Sequence, residues 1–276
     1  MKFWHPVNFW RPEILRHVAW IVALAMAAPA HAQWLDYPTA EVPRLASGRV
    51  NRSAPTPRTA DGHPDFSGIW IIESAADLTS TAPERTAQFW DIDAGTKGGL
   101  PFQPWAAEAR KARIAENSKT SPGIRCLPIG ILQMHTVPFP WRIVQVPGYI
   151  AIIHEREGHR QIFTDGRPVL ADPQPSWLGY STGKWQGDAL VVQTNGLRDG
   201  LWADNNGTPL TGAAKITERF RRPNFGKLEI EVTVDDPKAY TKPWTVQVNE
   251  AILVDTDLLE YVCTENEKDT SHMVGK

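Results

Sequence analysis

Beyond about residue 140 the chain is written in short runs of Val, Ile, Thr and Phe, each closed by Gly, Asp or Pro. Runs this short suit strands rather than core helices, and the regular punctuation suits an antiparallel meander that closes into a barrel or a sandwich. Strands are expected over 142–146, 149–156, 159–164, 188–194, 214–222, 227–235, 244–254 and 258–263, with 68–73 added upstream. Turns are legible at Glu157-Gly158, Asp165-Gly166, Gln186-Gly187 and Asn224-Phe225-Gly226, each with a glycine where positive φ is expected. There is no internal repeat and no phosphate-cradling glycine loop, so no nucleotide cofactor is expected.

One hairpin fixes which side of the sheet faces inward. With Asn224-Phe225-Gly226 as a three-residue loop, Arg221 opposes Glu229, Arg219 opposes Glu231 and Lys215 opposes Asp235. Three opposite-charge pairs then share one face, and Phe220/Ile230 and Ile216/Val234 share the other. A two- or four-residue loop slips the register and mixes charged and apolar side chains on both faces. The apolar face is therefore inward, and it carries Glu218 opposite Val232. An inward carboxylate is costly unless paired, and its pKa rises if it has no partner. Glu218 is thus the leading acid/base candidate; the alternative is a buried ion pair with an arginine from another strand.

The rest of the chain sets the context. Residues 1–32 read as a secretory signal: Lys2, Arg11 and Arg16 precede the apolar run VAWIVALAMAAPA, and Ala30-His31-Ala32 supplies a small-residue cleavage site. That run is shorter than the ~20 residues a spanning helix needs. Residues 33–67 are rich in Pro, Arg and Ser and read as an extended arm; 68–276 read as the barrel domain, with one short polar helix over 104–117. The whole chain has 29 Lys+Arg against 31 Asp+Glu, and without the leader the balance is 26 against 30. That mild acidity disfavours nucleic acid as a partner, and no second segment is apolar enough for stable membrane insertion. In an oxidising compartment Cys126 and Cys263 form a natural disulfide pair, with two buried thiols as the alternative. The bridge would close a loop of more than 100 residues, worth about 4–5 kcal/mol on the chain-entropy account. No Cys/His cluster points to a metal.

Further candidates are weaker. With Glu157-Gly158 as a turn, Glu155 opposes Arg160 and His154 opposes Gln161, and either pair could face inward. His135 reads as a loop residue after an apolar run and needs a carboxylate neighbour to act as an acid or base. Trp177, Tyr180, Trp185, Trp202 and Trp244 fall at strand ends or in loops, where aromatics can line a cavity mouth or simply seal the barrel. Asp199 and Asp204 flank Trp202 in a long, unstructured stretch, 195–212, of the kind that forms lids.

Two resemblances add to this. Gly68-Ile69-Trp70, in PDFSGIW at the first strong strand, resembles the Gly-x-Trp opening of lipocalin-like barrels, which implies that Trp70 plugs one end. The segments PRTADGHPDFSGIW, RCLPIG, IFTDGRP, GYSTGKWQGDALVV, ITERFRRPNFGKLEIEVTVDDPKAYTKPWTV and DTDLLEYVCTENEKD resemble a broad family of exported bacterial proteins. Ala189 and Gln193 depart from it, standing where Thr and an acidic residue are more usual. That likeness implies export and carries no catalytic residues over.

The expected fold is therefore an all-β, lipocalin-like barrel with an N-terminal arm. The first functional expectation is a periplasmic or secreted enzyme, of lyase, isomerase or dehydratase type, acting without a cofactor on a small apolar or aromatic molecule in the barrel cavity. Glu218 would transfer the proton, with Glu155, Arg160 and His135 positioning the substrate. A non-catalytic carrier of the same ligand is the alternative. A glycan-binding or glycan-processing domain is the third, although no carboxylate pair can be placed at hydrolase spacing.

Overall fold

The structure, a computed structural model, describes residues 38–73, 86–94, 96 and 98–265. The expected leader lies outside these residues. The elements in chain order are β1 (Gly68–Ile72), α1 (Pro104–Ala115), a 3-10 turn at Pro122–Arg125, α2 (Ile131–Thr136), β2 (Trp141–Val146), β3 (Tyr149–His154), β4 (Gly158–Phe163), β5 (Tyr180–Gln186), β6 (Ala189–Asn195), β7 (Leu201–Trp202), β8 (Pro209–Leu210), β9 (Lys215–Asn224), β10 (Lys227–Asp235) and β11 (Trp244–Leu253).

Nine of these strands close into a barrel in the order β1-β11-β10-β9-β6-β5-β4-β3-β2, while β7 and β8 pair separately. The expected all-β barrel with a short helix is present. Every neighbouring pair is antiparallel except β4 and β5, which run parallel and pair only at Ile162/Ser181 and Phe163/Thr182. That seam has no counterpart in a simple meander. It follows from the crossover of residues 164–179, whose prolines keep it out of the sheet.

The β9–β10 register is the one charge pairing predicted: Phe220 faces Ile230, Glu218 faces Val232, and Arg221 faces Glu229. It is reached by a different route, a tighter turn with a bulge between Lys227 and Glu229. Gly226 does not take the positive φ expected of it. It is required by a close approach instead, since a Cβ there would lie 2.5 Å from Arg52 Cβ in the arm. Of the three expected charge pairs only Arg221–Glu229 comes within ion-pair range, at 3.9 Å.

Four other expectations are corrected. Glu155 does not oppose Arg160; Arg160 lies opposite Ile152, and His154 opposite Gly158. His154 Nδ1 accepts the N–H groups of Arg156 and Glu157 at 3.1 and 3.3 Å, so the chain turns earlier, through 155–157. Residues 258–263 form no strand. A closed barrel leaves them no edge, and this tail is held from outside by Arg142–Asp257 and by Leu259 N–H on Glu155. Residues 195–212 are not structureless, since they contain β7 and β8. His135 lies not in a loop but in α2, a helix buried along its whole length.

The inward faces supply the core: Ile143, Ile152, Ile162, Val192, Ile216, Phe220, Ile230, Val232 and Val248 are all buried. Each such side chain contributes roughly 1.5–3 kcal/mol by leaving water. Trp70 is fully buried, donates its indole N–H to Phe66 O at 2.9 Å and lies under the Arg222 guanidinium. Cys126 and Cys263 are bonded, tying the turn before α2 to the tail.

Candidate functional site

Four neighbouring strands build a polar ladder across the barrel interior. Arg160 on β4, Ser181 on β5, Thr194 on β6 and Glu218 on β9 all take inward positions and are all buried. Arg160 forms a fork on Glu218: Nη1 donates to Oε1 at 2.9 Å and Nη2 donates to Oε2. Its remaining N–H groups reach Ser181 Oγ at 3.1 and 3.3 Å and Thr194 Oγ1 at 3.0 Å. The two hydroxyls bond each other at 2.8 Å. From α2, His135 Nε2 meets Glu218 Oε1 at 2.7 Å.

Three of the residues singled out from sequence therefore converge: Glu218, Arg160 and His135. Burial alone would push the Glu218 carboxyl up, but the Arg160 charge and the hydrogen bonds from Arg160 and His135 overcome it and hold the group near about 2. An ionised carboxylate only accepts, so Nε2 of His135 carries the proton. Nδ1 of the same ring is buried with no partner. The edges of Trp141 and Phe220 flank the imidazole, with ring centroids 5.4 and 5.9 Å away. This is the geometry of a carboxylate-oriented imidazole. The fourth candidate, Glu155, is outside the ladder, where it accepts the Leu259 N–H at 2.8 Å.

The ladder has an outer face. Where β4 and β5 diverge below their two paired residues, a groove of about 410 Å³ opens against the barrel wall. Phe163, Trp177, Leu178 and Tyr180 give it apolar walls, His159 stands at its edge, and Arg160 and Ser181 form the floor. Gly179 makes the near wall possible: φ is +60°, and a Cβ would lie 2.5 Å from Asn195 O. Trp177 and Tyr180 are thus brought together at one site.

The other aromatic and acidic candidates lie elsewhere. Trp202 is buried beneath the Arg113 guanidinium, and Trp244 is buried edge-on to Tyr240. Asp204 is a staple, accepting Ile92 N–H, Thr208 N–H and Thr208 Oγ1 at 2.9, 2.9 and 2.8 Å. Asp199 accepts the Gly212 N–H at 2.7 Å. Trp185 stacks flat on His63 of the arm at 4.4 Å and lines a separate hollow of about 660 Å³ with Asp61, Gln145 and Val146.

Sequence reading missed Ser181 because β5 was not recognised, and passed over Thr194 although it lies in the expected strand 188–194. It also missed Glu250, which is fully buried; His154, weighed as an inward candidate, is buried too. Glu250 was visible in principle, since it continues the inward alternation Val246, Val248, Glu250, Ile252.

Fold and site together define a closed β-barrel with a buried Arg–Glu–His network behind a lateral groove. Among known proteins, the chain matches no family model and no curated sequence. Among the described residues no group of His, Cys, Asp and Glu is placed to hold a metal ion, and no helix is long and apolar enough to cross a membrane.

Proposed function

We propose that this protein is exported and binds a small apolar or aromatic molecule in the groove between β4 and β5. The observation that carries the reading is the groove itself, a concave site with Phe163, Trp177 and Tyr180 around a fixed polar floor. Small-molecule sites have this composition, mostly apolar walls with a few placed polar groups. The disulfide suits an oxidising compartment, which supports export. The Arg160–Glu218–His135 network gives the floor its rigidity, because each of the Arg160 nitrogens is engaged.

A second reading, acid–base catalysis, is favoured by one observation: His135 is oriented by Glu218 and has its other nitrogen free. In that reading Glu218 holds the ring and His135 moves the proton.

Calorimetric titration with a panel of small aromatic compounds tests both. Trp177→Ala is expected to weaken binding about tenfold, the loss of one stacking wall, while Trp244→Phe leaves it unchanged. Binding that ignores Trp177 overturns the groove assignment. Ligand recovered unaltered after incubation supports a carrier; chemical alteration that stops in His135→Gln replaces it with the second reading.

A further inference from the structure

Two of the three aromatic side chains that wall the groove, Phe163 and Trp177, each have an arginine over the ring. Arg167 lies over the Phe163 ring with its guanidinium carbon 3.9 Å from the centroid, and Arg198 lies over the Trp177 ring at 4.2 Å. An arginine over a ring face still has N–H groups available as a fork for a carboxylate. On Arg167 that fork is filled. Asp165 Oδ1 and Oδ2 accept from its Nε at 2.9 and 3.0 Å, and Oδ2 accepts from Nη2 at 2.6 Å. On Arg198 it is not: the residue is exposed and has no carboxylate partner among the described residues, and the adjacent Asp199 is turned to the Gly212 N–H. Arg198 is nonetheless tied to the groove, because its backbone N–H donates to Ser176 O, beside Trp177, at 3.0 Å.

The two stacks are therefore the same device with one part missing from the second. The other charges at the groove do not fill the vacancy. Arg160 is neutralised by Glu218, and Glu157 is engaged by the Ile129 N–H and by Arg156. Arg198, packed on the Trp177 ring that walls the groove, is thus the cation beside it left without a carboxylate among the described residues.

We infer that the ligand of this groove is an aromatic carboxylate, its ring against Trp177 and Tyr180 and its carboxylate on the Arg198 fork, as Asp165 sits on Arg167. The inference rests on the groove being the binding site, and it adds the class of molecule. Charge-assisted bidentate contacts of this kind are the stronger hydrogen bonds, and at an exposed rim they weaken with salt.

The test is calorimetric titration of the full chain with 3-phenylpropionate and, separately, with its uncharged amide. The acid is expected to bind about tenfold more tightly than the amide at low salt. Arg198→Gln is expected to shrink that gap to about threefold or less, and Arg198→Glu to reverse the preference. Equal affinities in the unmodified protein, or a gap that survives Arg198→Gln, overturn the carboxylate assignment while leaving the groove in place. Failure of both compounds to bind overturns the groove reading and this inference with it.

Discussion

Two carboxyl groups face the barrel interior from strands that flank β10, Glu218 on β9 and Glu250 on β11. Neither has any exposed surface. They are in opposite states. Glu218 has a bidentate arginine and an imidazole, and is held ionised near about 2. Glu250 has no hydrogen-bond partner for either oxygen. Burial pushes its pKa well above the ordinary carboxyl range, and the nearby Trp141 indole offsets this only in part. Burial is common to both, so it does not set the charge; the partners do. The wall that faces the groove contains a fixed ion pair, and the wall built by β11 contains a carboxyl without a partner whose pKa burial raises.

The largest expected effect breaks this contrast from the Glu218 side. Arg160→Met removes the cation and leaves a buried carboxylate, which should cost about 3–5 kcal/mol in urea unfolding at neutral pH with the disulfide intact. The deficit should shrink toward acid pH, because the orphaned Glu218 then takes up a proton. Pairing Arg160→Met with Glu218→Leu should recover most of the loss. A cost below about 1 kcal/mol, the range of a surface pair, would show that the ladder is solvated rather than buried.

The next effect has the opposite sign. Glu250→Met should stabilise the protein by about 1–3 kcal/mol at pH 7, by removing a buried group without a partner. The pH dependence follows from linkage. In the unfolded chain the carboxyl titrates near ~4.3. In the folded chain its pKa is raised, so between those two values the native state binds the extra proton and stability falls as pH rises. Below the unfolded value the titration-linked part of the penalty is absent, so the variant's advantage should shrink to what a protonated carboxyl without a partner costs. Glu218 runs the other way: its contribution is present above ~4.3 and is lost as pH falls toward about 2. A destabilised Glu250→Met at neutral pH would mean that this carboxyl has a partner.

The same contrast explains what could be read from the chain. The inward face of β9 was legible because three charge pairs fit only one register, and register placed Glu218 beside Val232. An arginine from another strand was the alternative, and Arg160 and His135 were both singled out, but that these two meet Glu218 was not legible. Arg160 arrives from β4 across β5 and β6, and β5 (YSTGKWQ) has small and polar residues where a strand reader looks for Val and Ile. Those same small residues, Ser181 and Gly183, leave room for the Arg160 side chain and for close packing against Leu190 and Ile162. Helix α2 was hidden for a related reason: at six residues it is too short for periodicity to register, and it is held by burial and by long-range hydrogen bonds from Gln133 and His135. The groove depends on a parallel seam, and parallel pairing leaves no local signature in a chain otherwise made of hairpins.

The smallest effect marks the limit of the comparison. The outer face of the β9–β10 hairpin has charges in the register that sequence predicted, yet Arg219 bonds Gln186 at 3.1 Å instead of its opposite number Glu231. Arg221 and Glu229 approach only to 3.9 Å, with the arginine side chain 59% exposed. Solvent screens such a pair and both side chains give up rotamer freedom to form it, so Arg221→Gln should change stability by less than about 0.5 kcal/mol in the same urea assay. A loss above about 1 kcal/mol, the top of the usual range for exposed pairs, would mean that the outer charges help hold the register. As it stands, the outer pattern allows one register to be recognised among several, and the energy that enforces it comes from Phe220, Ile230, Ile216 and Val234 on the buried face.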